Sequence, residues 1–137
     1  MGARTKARKR ALDILFEAEQ RGLNAAELVR ERLANPVTSD PLNPYTGEIV
    51  EGVVAHWLEI DDLLSTYSMG WTLERMPDVD RSLLRIGVWE IVWNDDVPDE
   101  VAMSEAVALA TELSTDESPR FINGLLGRIS DIKPTLV

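Results

Sequence analysis

Apolar residues recur with a helical period along almost the whole chain. Ala7, Ala11, Ile14, Leu15 and Ala18 form one stripe, broadened by Leu12 and Phe16, and predict an amphipathic first helix. Gly22 stands where a helix C-terminus is expected. Asn24 is a good N-cap for a second helix running to about Leu33. The stretch from Asn35 to Pro44, rich in Pro and small polar residues, predicts a loop. A third pattern runs from Tyr45 through Ile49, Val50, Val53, Val54, Trp57 and Leu58, then on through Ile60, Leu63, Leu64 and Tyr67. It is too long for one ordinary helix, so a bend is expected between Leu58 and Asp61, with Gly70 as the end. Thr72 is expected to cap a short turn that Pro77 closes.

The second half continues the period. Asp78 is an N-cap candidate for the most apolar helix, in which Val79, Leu83, Leu84, Ile86, Val88, Trp89, Ile91 and Val92 leave only a narrow polar face. Such a helix belongs at the centre of a bundle. Asn94 to Pro98 ends it, and Ser104 is read as the start of the next helix. Ser118-Pro119 then places Ser at an N-cap and Pro at the first helical position, ahead of Phe121, Ile122, Leu125, Leu126 and Ile129. Gly124 and Gly127 each cost roughly 1 kcal/mol in a helix relative to Ala, which suggests close packing or a closely approaching ligand. Strand signals are weak. The expectation is an all-α fold of about seven helices in two small helical-bundle subdomains, 1–70 and 71–137, divided near Gly70-Trp71-Thr72.

Composition narrows the chemistry. The 137 residues are 45% hydrophobic, enough for a packed core, and contain no Cys, which excludes disulfides and thiolate metal sites. No apolar run approaches a membrane span and no secretory leader is evident, so the expected location is the cytoplasm. No phosphate loop, dinucleotide fingerprint or HExxH motif is present. His56, the single histidine, has no nucleophile partner in sequence and reads as a packed or half-exposed structural residue. Glu90 reads as a polar-face residue paired with a base. Asp95-Asp96 and Asp99-Glu100 lack metal-loop spacing and read as solvated loop. No enzyme, metal or cofactor is expected.

Charge supplies the sharpest clue. Arg4, Lys6, Arg8, Lys9 and Arg10 fill the first ten residues without an acid, while residues 11–137 hold the remaining nine bases against all 24 acids, net −15. Polyanion binding is therefore confined to the head, by phosphate contact and counterion release. On a helical wheel Lys6, Lys9, Arg10 and Asp13 share one face, while Arg4 and Arg8 form a second row beside the apolar stripe. The alternative is a solvated terminus. Phe121, next to Arg120 at a helix start, is either a stacking platform for a base or a core anchor. The acidic body suits a basic protein partner.

Four segments in order carry a resemblance. They are Arg8-Lys9-Arg10-Ala11-Leu12 through Glu17; Val79-Asp80-Arg81-Ser82-Leu83-Leu84-Arg85-Ile86 through Glu90; Asp96-Val97-Pro98 with Val101 to Ala110; and Ser118-Pro119-Arg120-Phe121-Ile122-Asn123-Gly124-Leu125-Leu126-Gly127. Together they resemble the NusB family of bacterial transcription antitermination factors. The Trp-rich pattern, with Gly70-Trp71-Thr72 and Trp89, looks like an actinobacterial member. The resemblance implies an RNA-binding factor that pairs with a small-subunit ribosomal protein (NusE). The pair binds single-stranded boxA leader RNA and joins other Nus factors on RNA polymerase, supporting transcription of ribosomal RNA operons. It places RNA contacts at Arg4, Lys6, Arg8, Lys9, Arg10, Glu117, Arg120 and Phe121, and partner contacts at Glu74, Asp80 and Glu90. Some members of the family dimerise, and an apolar helix face could equally serve a homodimer or the partner. The other readings are an RNA-docking domain like that of ribosomal RNA cytosine methyltransferases, disfavoured by a chain that ends at Val137, and a helical interaction module that binds no RNA.

Overall fold

The computed structural model describes residues 2–37 and 41–136. Its described residues form seven α-helices and two short 3-10 turns, with no strand. The helices are α1 (Ala3–Arg21), α2 (Ala25–Ala34), α3 (Pro44–Ala55), α4 (Trp57–Tyr67), α5 (Asp78–Trp93), α6 (Asp99–Leu113) and α7 (Ser118–Ile132). The 3-10 turns are Leu73–Arg75 and Lys133–Thr135. The chain divides into two compact units, Met1–Ala55 and His56–Val137. The division falls before α4, because α4 packs on α5 and α7.

In the first unit α1, α2 and α3 pack on one another. Gly22, at φ 67°, ends α1 in the left-handed conformation that glycine adopts without a Cβ penalty. Asn24 caps α2, its Oδ1 accepting from Glu27 N at 3.1 Å. The core is Ala7, Ala11, Leu12, Ile14, Leu15, Val29, Ile49, Val50 and Val53. A Cβ at Gly47 of α3 would lie 2.9 Å from Leu33 Cδ1, so the missing side chain lets α2 and α3 approach.

In the second unit α5 is the hub, touching α4, α6 and α7. Every residue from Ser82 to Ile91 is buried, as the narrow polar face implied. The break in the long 45–67 pattern falls at His56, ahead of the expected bend. His56 stacks on Trp93 with ring centroids 4.1 Å apart, and its Nδ1 lies 3.1 Å from Glu59 Oε2. Helix α6 begins at Asp99, not at Ser104. Pro98 supplies a pre-set φ of −59°, Asp99 and Glu100 complement the helix dipole, and Val101 N and Ala102 N bond to Pro98 O. Asp78 is the first residue of α5 rather than its cap, and it pairs with Arg81 at 2.6 Å.

The glycines that matter are also different ones. Gly124 and Gly127 meet neighbours only at an ordinary 3.5 Å. Instead, a Cβ on Gly87 would lie 2.7 Å from Leu126 Cδ1, and this is where α5 and α7 press together.

Candidate nucleic-acid interface

The basic head is the exposed end of a folded helix. Helix α1 starts at Ala3, so all five bases lie within its first turns. Its buried stripe of Ala7, Ala11 and Ile14 fixes their directions. Lys6 and Arg10, one helical turn apart, are exposed. They line a groove of about 400 Å³ together with Ala3, Ala7, Pro41, Leu42, Asn43 and Thr46. The far wall is the start of α3, where Asn43 Oδ1 accepts from Tyr45 N at 2.9 Å and Thr46 Oγ1 donates to Ala7 O at 3.0 Å. That second bond joins the two walls. A groove carrying two cations beside a helix N-terminus suits a phosphate.

The other row of bases is turned toward the protein. Arg4 lies over the Tyr45 ring with its guanidinium carbon 4.5 Å from the centroid, and Arg8 lies 5.8 Å from the same centroid. Arg4 is exposed, whereas Arg8 is only 3% exposed. Arg8 is thus part of the packing of the first unit, and its guanidinium is not displayed as the helical wheel implied. Lys9 is half-buried. Tyr45, Asn43 and Thr46 were read only as a loop and the start of a helix. Their place opposite α1 follows from the α1–α3 packing, which no local pattern reveals; the Asn-Pro pair at a helix start is the one signal that marks them.

Beside the groove a small pocket is lined by Arg10, Asp13, Ile14, Glu17, Arg32, Pro36, Val37 and Leu42. Burial pushes the Asp13 carboxyl up from its ordinary range, against the opposing pull of Arg10 and Lys9. Glu17 accepts from Arg32 at 2.7 Å and from Arg21 at 2.6 Å, and these two bonds hold its carboxyl below the usual range.

The second set of candidates lies in the other unit. Glu117 and Arg120 are exposed at the start of α7, and Phe121 is half-buried. The Phe121 ring meets Trp71 edge-on, with centroids 4.8 Å apart. Ser118 is the first helical residue of α7 and not its cap. Among the expected partner contacts only Glu74 is exposed. Asp80 and Glu90 are 0% and 1% exposed. Both sit on the inner side of α5, so neither offers a surface to a partner in this fold. Glu90 is also not the polar-face residue that its charge suggested.

Among the described residues, no group of three or more His, Cys, Asp or Glu side chains could hold a metal ion. No described helix is long and apolar enough to cross a membrane.

Residues 5–131 match the model of the NusB family. The chain belongs to the NusB family. It is 66% identical over 137 residues to the transcription antitermination protein NusB of Arthrobacter sp. (strain FB24), covering 100% of this chain and 99% of that one. Among solved structures, NusB of T. maritima superposes with a TM-score of 0.82 at 27% identity, over 96% of this chain and 92% of that chain. A crystal structure of antitermination factors NusB and NusE in complex with dsRNA superposes with a TM-score of 0.80 at 26% identity, over 96% and 98%. The all-helical arrangement is therefore the NusB fold. The high identity to an Arthrobacter relative agrees with the actinobacterial look of the Trp-rich sequence.

Proposed function

We propose that this chain is an RNA-binding transcription antitermination factor. With a small-subunit ribosomal protein acting as NusE, it binds single-stranded boxA leader RNA, joins other Nus factors on RNA polymerase and supports transcription of ribosomal RNA operons. The observation that carries the reading is the groove between α1 and α3. There, Lys6 and Arg10 are exposed on a protein of net charge −10, in a member of a family whose relatives are named for antitermination. A solved relative is described with NusE and RNA together, which supports the same pairing here.

The proposed RNA contacts are Lys6 and Arg10 in the groove, with Arg4 and Lys9 of the same helix. Glu117, Arg120 and Phe121 form a second contact set. Arg8, enclosed beside Tyr45, supports the α1 cations from inside the first unit. Glu74 remains the proposed partner contact. The chain acts by binding and catalyses no reaction, and the bacterial cytoplasm is the compartment where it would meet these partners.

The test is a mobility-shift titration of boxA-containing RNA with and without the ribosomal protein, across salt. Binding should tighten when the partner is added and weaken steeply with salt. Absence of binding under every condition sinks the RNA reading. Equal affinity for scrambled RNA sinks the sequence-specific one.

A further inference from the structure

Asp80 is a costly residue to place where it stands. Its carboxylate is fully buried in the first turns of α5, and burying a carboxylate is unfavourable unless hydrogen bonds compensate. Only one of its oxygens is bonded: Oδ1 accepts from Ser114 Oγ, while Oδ2 has no hydrogen-bond partner among the described residues. An apolar residue of similar size would hold the core with less desolvation. The single bond it makes leads to the turn between α6 and α7.

That turn is a chain of hydroxyls. Ser114 Oγ lies 3.1 Å from Ser118 Oγ, which in turn lies 2.7 Å from Thr115 Oγ1 and accepts from Thr115 N at 3.3 Å. Ser118 is itself fully buried, and its backbone N–H donates to Thr115 O at 3.1 Å. The turn therefore closes around Ser118, and Ser114 fastens it to α5 through Asp80. The residues that follow are Arg120 and Phe121, and Glu117 lies within the turn.

The neighbouring residue fastens the opposite side. Arg81 Nη1 donates to Leu73 O at 3.0 Å and to Met76 O at 3.1 Å, and Nη2 pairs with Asp78 at 2.6 Å. These bonds fix the segment that runs on from Trp71. Consecutive residues of α5 thus tie down the two segments whose aromatic rings, Trp71 and Phe121, meet edge-on.

We propose that Asp80 is a positioning residue for RNA recognition: through Ser114 it sets the α6–α7 turn and so the placement of Glu117, Arg120 and Phe121. The inference rests on the RNA-binding reading above. It replaces the partner contact first expected of Asp80 with a role exerted from inside the unit.

The test uses the full chain with its ribosomal partner and boxA-containing RNA, in wild type, Asp80→Ala, Asp80→Asn and Asp80→Asn/Ser114→Ala. Asp80→Ala should weaken RNA binding about tenfold, the loss that corresponds to one buried hydrogen bond. Partner affinity and the salt dependence should not change, because the groove cations are untouched. Amide exchange at Ser118, Arg120 and Phe121 should quicken. Asp80→Asn keeps an acceptor toward Ser114 and should restore most of the affinity. A folded Asp80→Ala protein that binds RNA as the wild type does overturns the proposal, as does a matching loss of partner affinity. If Asp80→Ala does not fold, the double variant Asp80→Asn/Ser114→Ala decides, since it breaks the bond without leaving a buried charge unpartnered: wild-type affinity there overturns the proposal. A wild-type chain that binds no RNA with partner present overturns the RNA reading and this inference together.

Discussion

Gly87 of α5 and Leu126 of α7 interlock: a Cβ on the glycine would lie 2.7 Å from a methyl of the leucine, which is itself fully buried. The leucine has no solvent to move into. Gly87→Val should therefore overpack this crossing and destabilise the protein by about 1–3 kcal/mol. Urea denaturation measures it. Trimming the partner in Gly87→Val/Leu126→Val should recover part of the loss, since residues in contact do not behave additively.

Arg85 forms a two-pronged ion pair with Asp61 in the second unit. Its Nε and Nη2 bond both oxygens of Asp61, at 2.9 and 3.0 Å, and its guanidinium carbon lies 3.9 Å from the Trp57 ring centroid. Removing the acid leaves a buried cation without its carboxylate, so Asp61→Ala should cost about 3–5 kcal/mol. The exposed Arg30–Glu51 pair is the control, and Glu51→Ala should cost less than about 1 kcal/mol. Comparable losses from the two substitutions would contradict this ranking.

Glu17 sets a pH dependence. Its bonds from Arg32 and Arg21 depress the folded-state pKa. The stabilisation is complete above the ordinary carboxylate range and is lost as pH falls through the lowered value. Glu17→Gln should therefore be less stable than wild type at neutral pH, and the two should converge in acid. Urea midpoints at several pH values give the comparison, and a gap that persists in acid would refute the assignment.

Lys6 and Arg10 should carry the salt response. Replacing both by Ala should lower the slope of log affinity against log salt by about 1.4, at roughly 0.7 per neutralised phosphate on a single strand. Arg8→Ala, by contrast, should lower the unfolding midpoint and leave that slope nearly unchanged, because its side chain is packed beside Tyr45. Titrations at several salt concentrations separate the two effects.

Features governed by neighbours in sequence were legible before the structure. Gly22 and Asn24 act as caps through their own backbone and side chain, and both stand where the pattern placed them. The all-helical class and the central place of α5 follow from periodicity alone. The start of α6 was displaced because an apolar period marks where a helix is buried, whereas Pro98, Asp99 and Glu100 start it on the exposed side. Asp80, Glu90 and Arg8 were misplaced for a common reason. Charge predicts surface on average, and only tertiary packing shows which charged residue is enclosed. Likewise propensity marks every helical glycine as costly, but only the helix crossings show that Gly47 and Gly87 are pressed by a neighbour.

The inward turn of the Arg4–Arg8 row bears on kinetics. With Arg8 packed inside, part of the head's charge is committed before any ligand arrives. The remaining cations can still draw a polyanion in quickly, but they hold it through few contacts, and affinity differences of this kind appear mainly in the dissociation rate. The isolated chain should sample RNA in brief visits. A ribosomal protein arriving at the same RNA would act chiefly by lengthening the dwell time, turning a fast search into a lasting mark on the transcript.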